Sequence, residues 1–76
     1  MPRPRDERLR AGLLVAIVDY VLAHGIADLS LRPLAAAVGV TPRTLLYHFG
    51  SKDELVLAIV AETGKRQAAL LETWYE

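Results

Sequence analysis

The chain has 76 residues, 53% of them hydrophobic, and its equal numbers of acidic and basic side chains give no net charge. This length allows one small domain. The absence of cysteine excludes disulfides and cysteine-ligated metals. No uncharged apolar run approaches the roughly 20 residues of a membrane span, so we expect a cytoplasmic protein without a membrane partner.

The charges are separated along the chain although they cancel in total. Residues 1–52 contain seven basic and four acidic side chains, whereas residues 53–76 contain two basic and five acidic ones. No acidic residue lies between Asp28 and Asp53. Such a separation of charge offers a basic surface to a polyanion. The net charge of zero therefore does not argue against nucleic acid as a partner.

The first segment, Met1–Arg5, contains two prolines together with Arg3 and Arg5, and it predicts an arm rather than a helix. A basic arm can contact phosphates or enter the minor groove. It can equally be a solubilising tail, and the sequence leaves both interpretations open.

Residues 6–24 repeat apolar side chains at helical spacing and predict a first helix that ends at Gly25. His24 suits the C-terminal end of its dipole and is interpreted as a cap, not a ligand. The residues expected to face the core are Leu9, Leu13, Leu14, Ile17, Val18, Tyr20, Val21 and Leu22.

Three helix starts follow within residues 30–54. The hydroxyls of Ser30, Thr41 and Ser51 are each predicted to cap a helix, and Ser51 forms a capping box with Glu54. Gly39 is predicted to end the first of these helices. The expected helices span 31–38, 42–49 and 51 to about 74. Two short helices joined by a tight turn are the sequence form of a helix-turn-helix.

The helix predicted at 42–49 has an apolar face and an unusual polar one. Leu45 and Phe49 lie on the side that must meet the core. The opposite arc carries hydrogen-bonding side chains and neither Glu nor Lys. These side chains are Arg43, Thr44, Tyr47 and His48. A solvated face with an incidental aromatic explains this composition less well than a recognition helix that enters the DNA major groove.

Two more cations lie at helix starts. Arg32 is placed where the helix dipole and its guanidinium together favour a phosphate, although a merely solvated arginine is an equal alternative. Lys52 opposes the dipole of the helix it opens. This local mismatch is explained if its ammonium helps to hold a DNA phosphate.

The last predicted helix begins with residues 55–61, which are apolar on every side. A helix that is hydrophobic all round is expected to be buried all round. We therefore expect either self-association or packing by residues beyond Glu76. The apolar residues near the end support the interpretation of the chain as a fragment. They are Leu70, Leu71, Trp74 and Tyr75.

Over residues 26–60 the chain resembles the DNA-binding domain of the tetracycline-repressor (TetR) family. The resemblance lies in Leu34-Ala35, Gly39-Val40-Thr41, Thr44-Leu45 and His48-Phe49-Gly50-Ser51-Lys52. It implies an all-α, homeodomain-like three-helix head joined by a long fourth helix to a helical ligand-binding and dimerising domain that this chain lacks. The implied division is a basic arm at 1–5, a DNA-binding domain at 6–50 with its helix-turn-helix at 30–49, and a connecting helix at 51–76.

The resemblance also implies a site and a function. The expected DNA-binding residues are Arg32, Thr41, Pro42, Arg43, Thr44, Tyr47, His48 and Lys52, with possible arm contacts from Arg3 and Arg5. Proteins of this family act mostly as repressors released by a small ligand. The expected partners are therefore double-stranded DNA with a palindromic operator, a second copy of the protein, and a small-molecule effector bound in the missing domain.

Two positions depart from the family pattern. Leu46 stands where a tyrosine is common, which removes a hydroxyl contact to DNA. Pro33 stands where a polar helix former is more usual, which removes a capping-box side chain. Both departures change the operator contacts that the resemblance implies, and neither disturbs the predicted fold.

Two other function classes are alternatives to a DNA-binding regulator. A helical protein-interaction module could dock through the apolar fourth helix. An enzyme is disfavoured because His24 and His48 have no nucleophile or acidic partner at catalytic or metal-binding spacing. We accordingly expect no cofactor and no metal.

Overall fold

The computed structural model describes residues 4–27 and 29–75, and the side chains of residues 6–27 and 29–73. These residues form four α-helices and no strand. The helices are α1 (Pro4–His24), α2 (Leu31–Ala37), α3 (Pro42–Phe49) and α4 (Lys52–Tyr75). The all-α fold with a helix-turn-helix is thus confirmed. No helix in the described part is long and apolar enough to cross a membrane.

The start of α1 differs from the prediction. The helix begins at Pro4 rather than at Asp6. Proline suits a first helical position because its φ is preset and its missing N–H would have no acceptor there. The expectation that the whole of Met1–Arg5 lies outside the helix is therefore wrong. Arg3 and the side chain of Arg5 lie outside the described residues.

The turn after α2 is built around Gly39, as predicted. Its φ is +79°, a left-handed conformation that costs glycine little. The N–H of Gly39 donates to Ala36 O at 3.2 Å, and the N–H of Val40 donates to Ala35 O at 2.9 Å. These two bonds form a Schellman motif. In this motif Gly39 follows the C-cap, so Val38 is the C-cap and α2 ends at Ala37 rather than at the predicted residue 38.

Thr41 caps α3 as predicted, since its Oγ1 accepts a 3.2 Å hydrogen bond from the N–H of Thr44. Ser30 behaves differently. It has the extended backbone of an N-cap, but its side chain makes no capping bond. The third helical residue of α2 is Pro33, which has no N–H to donate, so the bond expected for Ser30 lacks its usual donor.

Ser51 caps α4 through its Oγ, which accepts the N–H of Glu54 at 3.1 Å. The second half of the predicted capping box, from the N–H of Ser51 to the Glu54 carboxylate, is not among the hydrogen bonds of the described residues. The carboxylate lies instead over Gly50, so close that a Cβ at that position would collide with it. Gly50 has a φ of +94° and ends α3.

The core draws on all four helices and on the loop before α2. Its members are Ile17, Val18, Val21, Leu29, Leu34, Ala35, Leu45, Phe49, Leu55 and Ile59. Helix α4 packs against both α1 and α3, and α2 packs against α3. No polar or charged side chain among the described residues is buried.

Two residues expected in the core are exposed. Leu9 is 54% exposed and Leu22 is 61% exposed. On a helix with about 100° per residue, each lies about 100° or more from the centre of the stripe that α1 buries. That stripe is narrower than predicted because the neighbouring helices cover one side of α1 only.

Candidate nucleic-acid interface

Helix α3 is a short cylinder with one side in the core. Leu45 is fully buried and Phe49 is 6% exposed, as predicted. On the far side, Arg43 is exposed and Tyr47 is 71% exposed. Arg43 and Tyr47 therefore form a ridge along the outside of α3, and we call this pair the α3 ridge.

The other two residues of the predicted polar arc lie on the flank of this ridge. Thr44 and His48 are half-buried, and together with Arg8 they line a groove between α1 and α3. The Oγ1 of Thr44 lies 3.0 Å from the Oγ1 of Thr41. The hydroxyl of Thr44 is thus already engaged, whereas the ridge residues project further from the core.

A second depression lies beside the start of α3. Its lining brings Arg32 at the start of α2 together with Pro42 and Lys52. No acidic residue occurs between residues 29 and 52. Two cations that are distant in sequence therefore share one concave surface, next to the first turn of the helix that carries the ridge.

Two residues of α1, Asp6 and Arg10, contact α3 in ways that the sequence analysis did not predict. The hydroxyl of Tyr47 donates to Asp6 Oδ2 at 3.4 Å. The Nε of Arg10 donates to the main-chain oxygen of His48 at 3.2 Å, and its guanidinium carbon lies 4.6 Å from the centre of the Phe49 ring. The first turns of α1 thus overhang the end of α3.

The sequence contained a signal for these contacts. Asp6, Arg10, Leu13 and Ile17 are spaced by four, three and four residues, so they continue one face of α1 toward its N-terminus. Charged side chains that continue the buried face of a helix indicate that the neighbouring helix ends next to them. Which helix lies there depends on the tertiary crossing of α1 and α3.

The aromatic side chains near the ends of α1 and α3 pack in pairs. The rings of Tyr47 and His48 meet edge to face, with centroids 5.0 Å apart and an interplanar angle of 79°. His24 stacks on Tyr20 at 4.3 Å, and its Nδ1 lies 3.0 Å from the Tyr20 carbonyl oxygen. His24 therefore completes the end of α1, in agreement with its interpretation as a cap.

Comparison with known proteins agrees with the helix-turn-helix fold described above. The family model for bacterial regulatory proteins of the tetR family matches residues 13–59. The HTH-type transcriptional repressor Rv3405c of Mycobacterium tuberculosis is 36% identical over 73 residues, which are 96% of this chain and 38% of that protein. The HTH-type transcriptional regulator TcmR of Streptomyces glaucescens is 34% identical over 70 residues, which are 92% of this chain and 29% of that protein.

The chain spans 38% of the length of the first curated relatives it matches. No solved structure gives a significant match. The family model covers more than half of the chain, and its matched residues run from α1 through the helix-turn-helix into α4. The chain therefore belongs to the tetR family of bacterial regulatory proteins and contains the helix-turn-helix domain of that family.

Proposed function

We propose that this chain is the DNA-binding head of a transcriptional repressor and that α3 enters the major groove. The observation that carries the proposal is the α3 ridge, which projects Arg43 and Tyr47 between two depressions in a part of the chain without acidic residues. The major groove, about 12 Å wide, admits a helix of this kind.

Arg43 is the proposed base-reading residue. It is exposed in the first turn of α3, and a guanidinium can bind guanine O6 and N7 bidentately, which discriminates against a wrong base by about 1–3 kcal/mol. Thr44 has its hydroxyl engaged with Thr41. Its methyl group is therefore the better candidate for contact, and thymine offers a methyl partner in the same groove.

The remaining residues of the proposed site set the register on the DNA through its phosphates. Arg32 and Lys52 would hold one strand from the depression that they share. Thr41 and Pro42 present the start of α3 to the same strand, and helix starts favour anions. Tyr47 and His48 would contact phosphate or groove edge near the end of α3, and Arg3 and Arg5 near the start of the chain are proposed as further contacts.

The proposed assembly is a homodimer on a palindromic operator, released by a small-molecule effector. Two α3 helices would then lie about one DNA turn apart, near 34–36 Å. The proposed division places the DNA-binding domain at 6–50 and the connecting helix at 51–76. The dimer contacts and the effector site would belong to the rest of a longer protein, since the curated relatives are longer than this chain.

The outer side of α4 supports a proposed contact with that longer protein. Exposed apolar or small residues recur along it at helical spacing, opposite the buried Leu55 and Ile59. These outer-stripe residues are Leu57, Val60, Ala61, Gly64, Ala68 and Leu71. Small residues at its centre permit close approach of another helix. We infer that the rest of the regulator packs on this stripe.

The proposal is tested by selecting duplexes from a random DNA pool with the full-length protein and with the 76-residue chain. We expect the full-length protein to enrich a palindrome and the 76-residue chain to bind its half-site weakly, with affinity that falls steeply as salt rises. Absence of enrichment with both proteins, when circular dichroism confirms that they are folded, would contradict DNA binding.

A second function is favoured by the outer stripe alone. The chain could be an interaction module whose α4 docks on a partner protein, since Leu57 and Val60 are 68% and 57% exposed. Gel filtration with and without duplex DNA separates the two functions. A shift to larger size when DNA is added supports the regulator, and an elution volume that DNA does not change supports the module.

A further inference from the structure

Tyr47 of the α3 ridge is exposed, yet its hydroxyl already has a partner. It donates to Asp6 Oδ2 at 3.4 Å, which joins the last turn of α3 to the first turn of α1. The length of this bond and the exposure of Tyr47, which is 71%, make the contact weak and easily broken. Asp6 thus places a carboxylate against the α3 ridge.

The chemistry of the two groups sets up a competition with DNA. A tyrosine hydroxyl has one hydrogen to donate. A carboxylate and a phosphate oxygen both accept it, so Tyr47 cannot donate to a phosphate while it donates to Asp6. The negative charge of Asp6 also lies beside the position that a phosphate would occupy, and like charges there are unfavourable.

We propose that Asp6 limits the affinity of this chain for DNA by competing with backbone phosphates for the hydroxyl of Tyr47. The inference rests on the proposed DNA-binding function. Phosphate contacts carry no sequence information, so the competition weakens binding to any duplex. Arg43 is not involved in it, and its contribution to base preference is unaffected. Asp6 therefore raises the share of binding energy that depends on sequence.

Glu7 provides a matched control. It is the neighbouring acidic residue in the first turn of α1 and is exposed. It makes no hydrogen bond among the residues that the structure describes. Asp6→Ala and Glu7→Ala remove the same charge from adjacent positions, but only Asp6→Ala releases Tyr47.

The experiment measures binding of a fluorescein-labelled random-sequence duplex by the 76-residue chain and its variants at fixed salt. We expect Asp6→Ala to tighten binding by roughly two- to fivefold, the range for one exposed charged contact, and Glu7→Ala to tighten it by a smaller factor. In a Tyr47→Phe background, the gain from Asp6→Ala should fall to that from Glu7→Ala. Asp6→Asn, which keeps the size of the side chain, should give an intermediate gain.

Equal gains from Asp6→Ala and Glu7→Ala, or a gain that persists without the Tyr47 hydroxyl, would overturn the proposal and leave only a general charge effect. A second readout needs no DNA. The NMR shifts of the Tyr47 ring protons in the free chain should change in Asp6→Ala and not in Glu7→Ala, and unchanged shifts would also overturn it.

Failure of DNA binding and failure of the role of Asp6 give different results. If the folded wild-type chain binds no duplex, the proposed function fails, and the competition fails with it even where the NMR contact is present. If the wild-type chain binds DNA and Asp6→Ala does not tighten the complex, the DNA-binding function stands and the role of Asp6 is refuted.

Discussion

The Nε of Arg10 in α1 donates a 3.2 Å hydrogen bond to the main-chain oxygen of His48 in the last turn of α3. The same guanidinium lies over the ring of Phe49, 4.6 Å from its centroid. Carbonyl groups in the last turn of a helix lack intrahelical partners. Arg10 satisfies one of them from another helix and so ties the end of α3 to α1.

Arg10→Ala should destabilise the chain by about 1 kcal/mol, since it removes an exposed hydrogen bond and a cation–π contact. In a domain of this size such a loss lowers Tm by about 4–8 °C. Thermal unfolding followed by circular dichroism measures it. Arg8→Ala is the control, because Arg8 is exposed on the same helix and makes no hydrogen bond among the described residues. An equal loss in both variants would refute a capping role for Arg10.

Thr41→Ala and Ser30→Ala should differ although both residues occupy N-cap positions. Thr41 accepts a bond from the N–H of Thr44, whereas the side chain of Ser30 makes no capping bond. Thr41→Ala should therefore cost about 1 kcal/mol, and Ser30→Ala should stay within about 0.5 kcal/mol of the wild-type value. Urea unfolding gives both numbers, and Thr41→Ser should restore most of the loss. A Ser30→Ala cost as large as that of Thr41→Ala would contradict the structure.

Leu45 and Leu46 are adjacent leucines of α3 with opposite environments. Leu45 is fully buried and Leu46 is 39% exposed. Leu45→Ala should cost about 2–5 kcal/mol, because it leaves a cavity in the core. The free energy of unfolding of a chain this short is only slightly larger than this loss. A substantial unfolded fraction is therefore expected at 25 °C. Leu46→Ala should cost less than about 1 kcal/mol and remain folded. Similar urea midpoints for the two variants would mean that the register of α3 is wrong.

Arg43→Ala should relax the sequence preference of DNA binding. If Arg43 reads a guanine, the substitution removes about 1–3 kcal/mol of discrimination at one position of the operator. Arg43→Lys is the matched variant, because it keeps the charge and loses the planar fork that binds two acceptors. Competition binding with the selected duplex and its single-base variants measures the effect. A uniform loss on all sequences would place Arg43 on a phosphate instead.

Lys52→Ala should weaken binding equally on all duplexes and reduce the slope of log affinity against log salt by about one unit. Lys65→Ala is the control, because Lys65 is an exposed lysine further along α4 and does not line the depression shared by Arg32 and Lys52. Titrations at several salt concentrations give the slopes. An unchanged slope in Lys52→Ala would remove Lys52 from the phosphate-binding set.

The sequence alone determined the local features of this protein. Helix ends follow from residues with a specific backbone or capping chemistry, so Gly39, Thr41 and Ser51 could be placed without coordinates. The division of α3 into a buried and an exposed face also followed, because helical spacing alone sets which side chains share a side. The family resemblance rested on the same residues.

The tertiary structure decided which surfaces meet. Helical spacing predicted that Leu9 and Leu22 of α1 face the core, but both are exposed, because burial depends on where other helices lie. The contacts of Asp6 and Arg10 with α3 span 41 and 38 residues. They arise from the crossing of α1 over the end of α3, which is set by core packing between distant segments. Helical spacing puts Asp6 and Arg10 on the buried side of α1 but does not say which helix they meet. For the same reason, the meeting of Arg32 and Lys52 in one depression required the assembled fold.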